Sequence, residues 1–138
     1  MKKFLLPTLL AIAVLISSFQ VQAAGIGDVP DFRDVAGYDV TDGERVNTHK
    51  GYRIYSYSCP IEDDDNFASD YVEYLIDWGL TQIGHDYKDF RRTSAQSVEK
   101  WFFTCRGQRV EFWQYNYYNE GRISFSVRVA NGLTYAGN

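Results

Sequence analysis

Cysteine and histidine each occur twice in this chain of 138 residues, proline three times and methionine once, and each scarcity removes a class of reading. Two cysteines without a CxxC and two distant histidines make no recognisable ligand spacing, so neither a metal nor a cofactor is expected. GxSxG, HExxH, Walker-type and Gly-rich dinucleotide patterns are all missing. A catalytic role would therefore rest on His49 or His85 with an unassigned serine, or on two carboxylates that sequence alone cannot pair. The expectation is a protein without catalytic residues, with a small hydrolase as the least favoured alternative. Basic residues are also short, 14 Lys and Arg against 18 Asp and Glu. Non-specific nucleic-acid affinity comes from Lys and Arg displacing counterions, so nucleic acid is not expected as a partner.

No apolar run reaches the roughly 18 to 20 residues that span a bilayer. The one that exists, residues 4–16, follows Lys2 and Lys3 and precedes Ser17, Ser18 and Gln20. That order of charge, short apolar stretch and small residues at Val21-Gln22-Ala23 is the layout of a secretory signal peptide, cleaved after Ala23. No cysteine stands at the cleavage point to take a lipid. The expected organisation is a signal peptide over 1–23, an irregular Gly-, Asp- and Pro-rich arm over 24–44, and a single domain over 45–138. The expected location is the bacterial periplasm or the outside of the cell. Loss of Lys2 and Lys3 moves the net charge from -4 to -6.

Export gives the two cysteines an oxidising compartment, and Cys59 and Cys105 are expected to form one structural disulfide. Closing their 46-residue separation would stabilise by about 4 kcal/mol in the chain-entropy account.

Aromatics, in contrast, are abundant at 17%, and their spacing carries most of the structural information. Phe67, Tyr71, Tyr74, Leu75 and Trp78 recur at helical intervals, with Ser69, Asp70, Glu73 and Asp77 opposite and Gly79 as the stop, which predicts one amphipathic helix. The acidic run before it, residues 62–66, has neither the glycine nor the twelfth-position acid of a calcium loop. Asp64, Asp65 or Asn66 is expected to cap the helix instead.

Strands are predicted over 45–48 and 52–59, joined at His49-Lys50-Gly51, and over 98–105, 109–117 and 122–129, joined by Gly-containing turns. Residues 80–83 suit a short strand; 85–94 show no period. In the last strand Ile123, Phe125, Val127 and Val129 alternate with Arg122, Ser124, Ser126 and Arg128, so one side meets solvent. The fold class is α+β: an antiparallel sheet of four or five strands with one helix on a face.

One helix covers one face, yet aromatic residues fall on more than one. Trp113, Tyr115 and Tyr117 share a side of their strand, Trp101 and Phe103 a side of theirs, and Tyr55 and Tyr57 a side of theirs. Either the N-terminal arm lies over the second face, or that face is a recognition surface, since Tyr and Trp combine contact area with hydrogen-bonding tips. The candidate partner surface is Tyr55, Tyr57, Trp101, Trp113, Tyr115 and Tyr117, with the acidic knob Asp63, Asp64 and Asp65 as a second contact region. These features suggest an exported protein-binding domain of the inhibitor or immunity kind, acting on an enzyme or toxin of the cell envelope. The alternative is a module that binds glycan, peptidoglycan or another envelope component.

Overall fold

The computed structural model describes residues 27–37, 40–63, 66–90 and 95–137, and over 41–49 the backbone course alone. The expected signal peptide and the acidic residues Asp64 and Asp65 lie outside the described residues. A single helical turn, α1 (Arg33–Ala36), precedes β1 (Thr41–His49) and β2 (Tyr52–Pro60). Helix α2 (Phe67–Trp78) follows, and then four strands: β3 (Thr81–Asp89), β4 (Gln96–Cys105), β5 (Gln108–Tyr117) and β6 (Arg122–Ala130).

The strands form one sheet in the order β1-β2-β6-β5-β4-β3, every neighbour antiparallel. The fold class is α+β, with six strands where four or five were expected. The C-terminal meander returns β6 to the side of β2, and nine residue pairs from Tyr52↔Ala130 to Pro60↔Arg122 run without a shift. The link from β2 to β3 passes through α2 and joins strands on opposite sides of the meander.

Turn chemistry explains the hairpins. Lys50-Gly51 and Arg106-Gly107 all take positive φ, the left-handed pair that matches strand twist in a tight hairpin. Asn66 occupies the position before α2 at φ 65 but makes no side-chain cap bond. The helix ends in a Schellman arrangement, with the Leu80 amide bonded to the Leu75 carbonyl and the Gly79 amide to that of Ile76. Leu75 and Leu80 are both buried, so the terminus is held by packing as well as by hydrogen bonds.

Register sorts the faces. Tyr55, Tyr57 and Cys59 lie with Ile123, Phe125, Val127 and Val129, with Val110 and Phe112, and with Trp101 and Phe103. All of them are buried, and Tyr71 and Leu75 of α2 join the same core.

Among its described residues, the arm does not lie over the opposite face. Its described part enters this core: the Phe32 ring, fully buried, sits 4.6 Å from Phe125, 5.2 Å from Tyr71, 5.3 Å from Tyr57 and 5.4 Å from Phe112 between ring centroids. The segment after β6 joins it, with Leu133 and Tyr135 buried and a parallel bridge between Val29 and Tyr135.

A small polar network fastens the two segments. The Tyr57 and Tyr135 hydroxyls are 2.6 Å apart, and each lies 3.3 Å from Asp31 Oδ1. The Phe32 amide donates to the Tyr135 hydroxyl, Tyr71 donates to the Pro30 carbonyl, and Arg33 pairs with Asp31. Burial pushes the phenols of Tyr57, Tyr71 and Tyr135 well above their ordinary range. The Tyr74 phenol is pushed up to about 12, first by burial and then by Asp34, to which it donates.

The disulfide expectation is corrected. Cys59 and Cys105 are not bonded to each other, and the register shows why. The row through Cys59 runs Ile123, Asn116, Ser97, whereas Cys105 stands at the far end of β4 from Ser97. Three strands across and eight residues along place them on the order of 30 Å apart, against a Cα limit of roughly 7 Å. Burial raises the Cys105 thiol, Asp28 adds to the rise and Arg106 opposes it, so this sulfur is held in its unreactive protonated form at neutral pH.

Two measurements follow from this interior. Thiol titration in denaturant should find two reactive sulfurs per chain, and a reductant should leave the melting temperature unchanged; a reductant-dependent loss of stability would contradict the register. Because the buried phenols are raised, the folded state holds their protons more tightly than the unfolded chain does. Their stabilisation is complete below about pH 10 and is lost as pH rises beyond it. The share of the tyrosinate absorbance that comes from the buried phenols should therefore appear together with the loss of circular dichroism, above pH 10. Full tyrosine ionisation in a still-folded protein would show that these phenols are not buried.

Candidate functional site

The sheet face opposite α2 is built by the alternate residues of the same strands. Trp113, Tyr115 and Tyr117 of β5 form its central row, with ring centroids 5.8 Å and 6.1 Å apart. β6 contributes Arg122, Ser124, Ser126 and Arg128. β4 contributes Val98, Lys100 and Phe102, and β3 contributes Asp86 and Lys88. The described segments outside the strands, 27–37 and 131–137, pack on the other side.

Cations grip the rings. The Arg128 guanidinium lies 3.6 Å and the Lys100 ammonium 3.9 Å from the Trp113 centroid, while Arg109 lies 4.9 Å from the Phe102 ring and Arg122 6.0 Å from the Tyr117 ring. Such contacts hold a charge beside an apolar surface without neutralising it, and each contributes roughly 0.5 to 2 kcal/mol. Glu111 orders the centre: it accepts from the Trp113 indole at 2.9 Å and pairs with Arg109 at 3.3 Å. Burial raises the Tyr115 phenol, and Arg128 opposes the rise.

Charge separates this face from the rest of the chain. Among the described side chains of this face, Lys88, Lys100, Arg109, Arg122 and Arg128 stand against Asp86 and Glu111, five cations to two anions in a chain whose net charge is -4. A groove of about 170 Å³ opens toward β3, lined by Asp86, Lys88, Phe90, Val98, Lys100, Trp113 and Tyr115. Its lining combines apolar and aromatic side chains with two ammonium groups and one carboxylate.

The expected surface residues divide accordingly. Trp113, Tyr115 and Tyr117 are partly exposed and contiguous. Tyr55 and Tyr57, each 3% exposed, and Trp101, at 9%, belong to the core face and present no surface to a partner. Asp63 is exposed on a 3-10 turn, Ile61–Asp63, at the α2 end of β2. Sequence reasoning passed over the cations, because the single-residue signal for Lys100, Arg109 and Arg128 is that of ordinary solvated strand positions. Register alone sets Lys100 and Arg128 on the Trp113 ring and Arg109 on the Phe102 ring.

His85 is held by Glu99, its Nε2 2.6 Å from the carboxylate Oε2, and stacks on Trp101 at 5.3 Å. Among the described residues no hydroxyl hydrogen-bonds to the imidazole, and no three His, Cys, Asp or Glu side chains gather as a metal site requires. The His49 side chain lies outside the described residues. Near Cys105, a second hollow of about 210 Å³ lies between Gly27, Trp78 and Leu80, closed at one side by the Arg106–Asp28 ion pair.

Against family models, curated proteins and solved structures the chain gives no significant match, so its site is read from its own residues. Among the described residues no helix is long and apolar enough to cross a membrane.

The two faces should respond differently to truncation. Phe112→Ala empties a fully buried position and should cost about 3 to 5 kcal/mol in denaturant unfolding. Trp113→Ala, its neighbour in sequence, should cost less, because a partly exposed side chain leaves no closed cavity and forfeits chiefly its two cation–π contacts and its bond to Glu111. Equal costs would mean that the Trp113 face is a second core.

Proposed function

We propose that this chain is an exported binding protein of the inhibitor or immunity kind, working in the periplasm or outside the cell, and that it engages a protein partner through the aromatic-cationic face. The observation that carries this reading is the Trp113–Tyr115–Tyr117 row gripped by Lys100, Arg128 and Arg122. Trp, Tyr and Arg are the residue types that dominate binding energy at protein interfaces.

Size supports a macromolecular partner over a small one. Five strands about 4.8 Å apart and nine residues long give a footprint on the order of 600 Å², close to the roughly 800 Å² that each side contributes to a standard interface. Sign supports an acidic contact surface. A face bearing five cations and two anions on an acidic chain attracts an anionic patch and repels a second basic one. The alternative, an anionic glycan or wall fragment, has the ring row in its favour, since sugar rings stack on such rows. Trp113 is the tryptophan that would report it, because Trp101 is buried.

The mature chain, residues 24–138, immobilised and exposed to envelope and secreted fractions, should hold one stoichiometric enzyme or toxin that salt weakens. Trp113→Ala with Tyr115→Ala, and separately Arg128→Glu, should each lose it while remaining folded. Retention by these variants, or retention lost instead on Asp63→Lys, would move the contact away from this face. Capture of nothing, together with quenching of Trp113 fluorescence by soluble wall fragments, would replace the protein partner by glycan.

A further inference from the structure

The sheet ends at β3, whose outer side pairs with no described strand. This strand runs nine residues without proline, and the exposed large apolar side chains of the described chain concentrate along it: Ile83, Tyr87 and Phe90, against Ile76 and Tyr118 elsewhere. A long unpaired edge with apolar side chains is a template for another strand. We propose that β3 pairs antiparallel with β3 of a second copy of this chain, in a two-fold register centred on Tyr87, so that one sheet runs through both copies.

The charges select this register. Asp86 and Lys88 lie two residues apart and both are exposed; their partners on β4 are Lys100 and Val98, so they share the aromatic-cationic face. With Tyr87 on the axis, Asp86 of each copy stands directly opposite Lys88 of the other, giving two cross-strand ion pairs from one symmetric arrangement. Gly84 then faces Phe90 of the second copy, and the Phe102 ring, which already closes over Gly84 within its own chain, is the neighbour that Phe90 meets there. The paired stretch is 84–90, and the irregularity between Gln82 and Gly84 falls just outside it.

Edge charges normally repel strand addition. Here they repel strands of unmatched charge and accept this one. Directly opposed residues of an antiparallel pair share a face, so the aromatic rows of both copies come to the same side of the joined sheet. Only seven positions pair on each copy, which makes a small interface and a micromolar-range association. The proposal stands on the edge alone and does not depend on the identity of the partner of the aromatic face.

Sedimentation equilibrium of the mature chain over about 1 µM to about 1 mM should show a reversible dimer. Lys88→Asp should weaken it by about tenfold or more, as should Asp86→Lys. An equimolar mixture of the two variants should form a heterodimer, because each then presents the charges that the other lacks. The double exchange Asp86→Lys/Lys88→Asp should dimerise again. In the unmodified chain, amide exchange at residues 84–90 should slow as concentration rises, a reading that needs no variant to fold. A monomer at every concentration, a dimer indifferent to Lys88→Asp, a mixture that stays monomeric, or protection appearing outside 84–90 would each overturn the proposal.

Discussion

The fold depends on the burial of Asp31 and Phe32 beneath α2. Phe32 fills the centre of the core, ringed by four aromatic residues from the helix and three strands, and its neighbour enters with it. A carboxylate at 5% exposure would be costly without partners. Arg33, Tyr57 and Tyr135 supply them, and the last two come from β2 and from the segment after β6. The polar network is therefore the condition for the apolar insertion. It also does what a disulfide was expected to do, joining distant parts of the chain, but through three hydrogen-bonding side chains in place of one covalent bond.

With the core gathered on one side, the sheet is asymmetric in chemistry as well as in coverage. Its helix side is nearly dry and built of packed rings. The other side carries rings of the same kinds, and Trp113, Phe102 and Tyr117 are overlaid by a guanidinium or ammonium group. The aliphatic stems of Lys and Arg shield part of the ring edges while their charges stay at the surface. The long side chains of such a face have already lost rotamer freedom to the rings below, which lowers the ordering cost that any contact with it would carry.

Much of this was legible in the sequence, and the failures have physical causes. The apolar stripe from Phe67 to Trp78 and the alternation of Ile123, Phe125, Val127 and Val129 reported the helix and a half-buried strand, because each element has one wet side. β3 gave no such signal: an edge strand exposed on almost every residue has no buried side to impose a period. The arm was misread for the opposite reason. Phe32 makes its contacts through tertiary insertion, and a segment rich in Gly, Asp and Pro shows no local trace of it. The cysteines were paired by compartment and count, and neither quantity contains register. Tyr55, Tyr57 and Trp101 were grouped with Trp113 because strand alternation shows which residues share a side without showing which side the helix takes.

The bridge between Val29 and Tyr135 and the bonds from Asp31 to Tyr135 span more than a hundred residues of sequence. A chain that emerges N-terminus first thus carries a carboxylate and a phenyl ring whose partners arrive last. Until residue 135 is free to turn back, Asp31 cannot be desolvated cheaply and Phe32 has no closed site to enter. Folding is then timed by geometry: contacts of such long sequence separation form late, and a nearly finished chain stays open until its last residues turn back.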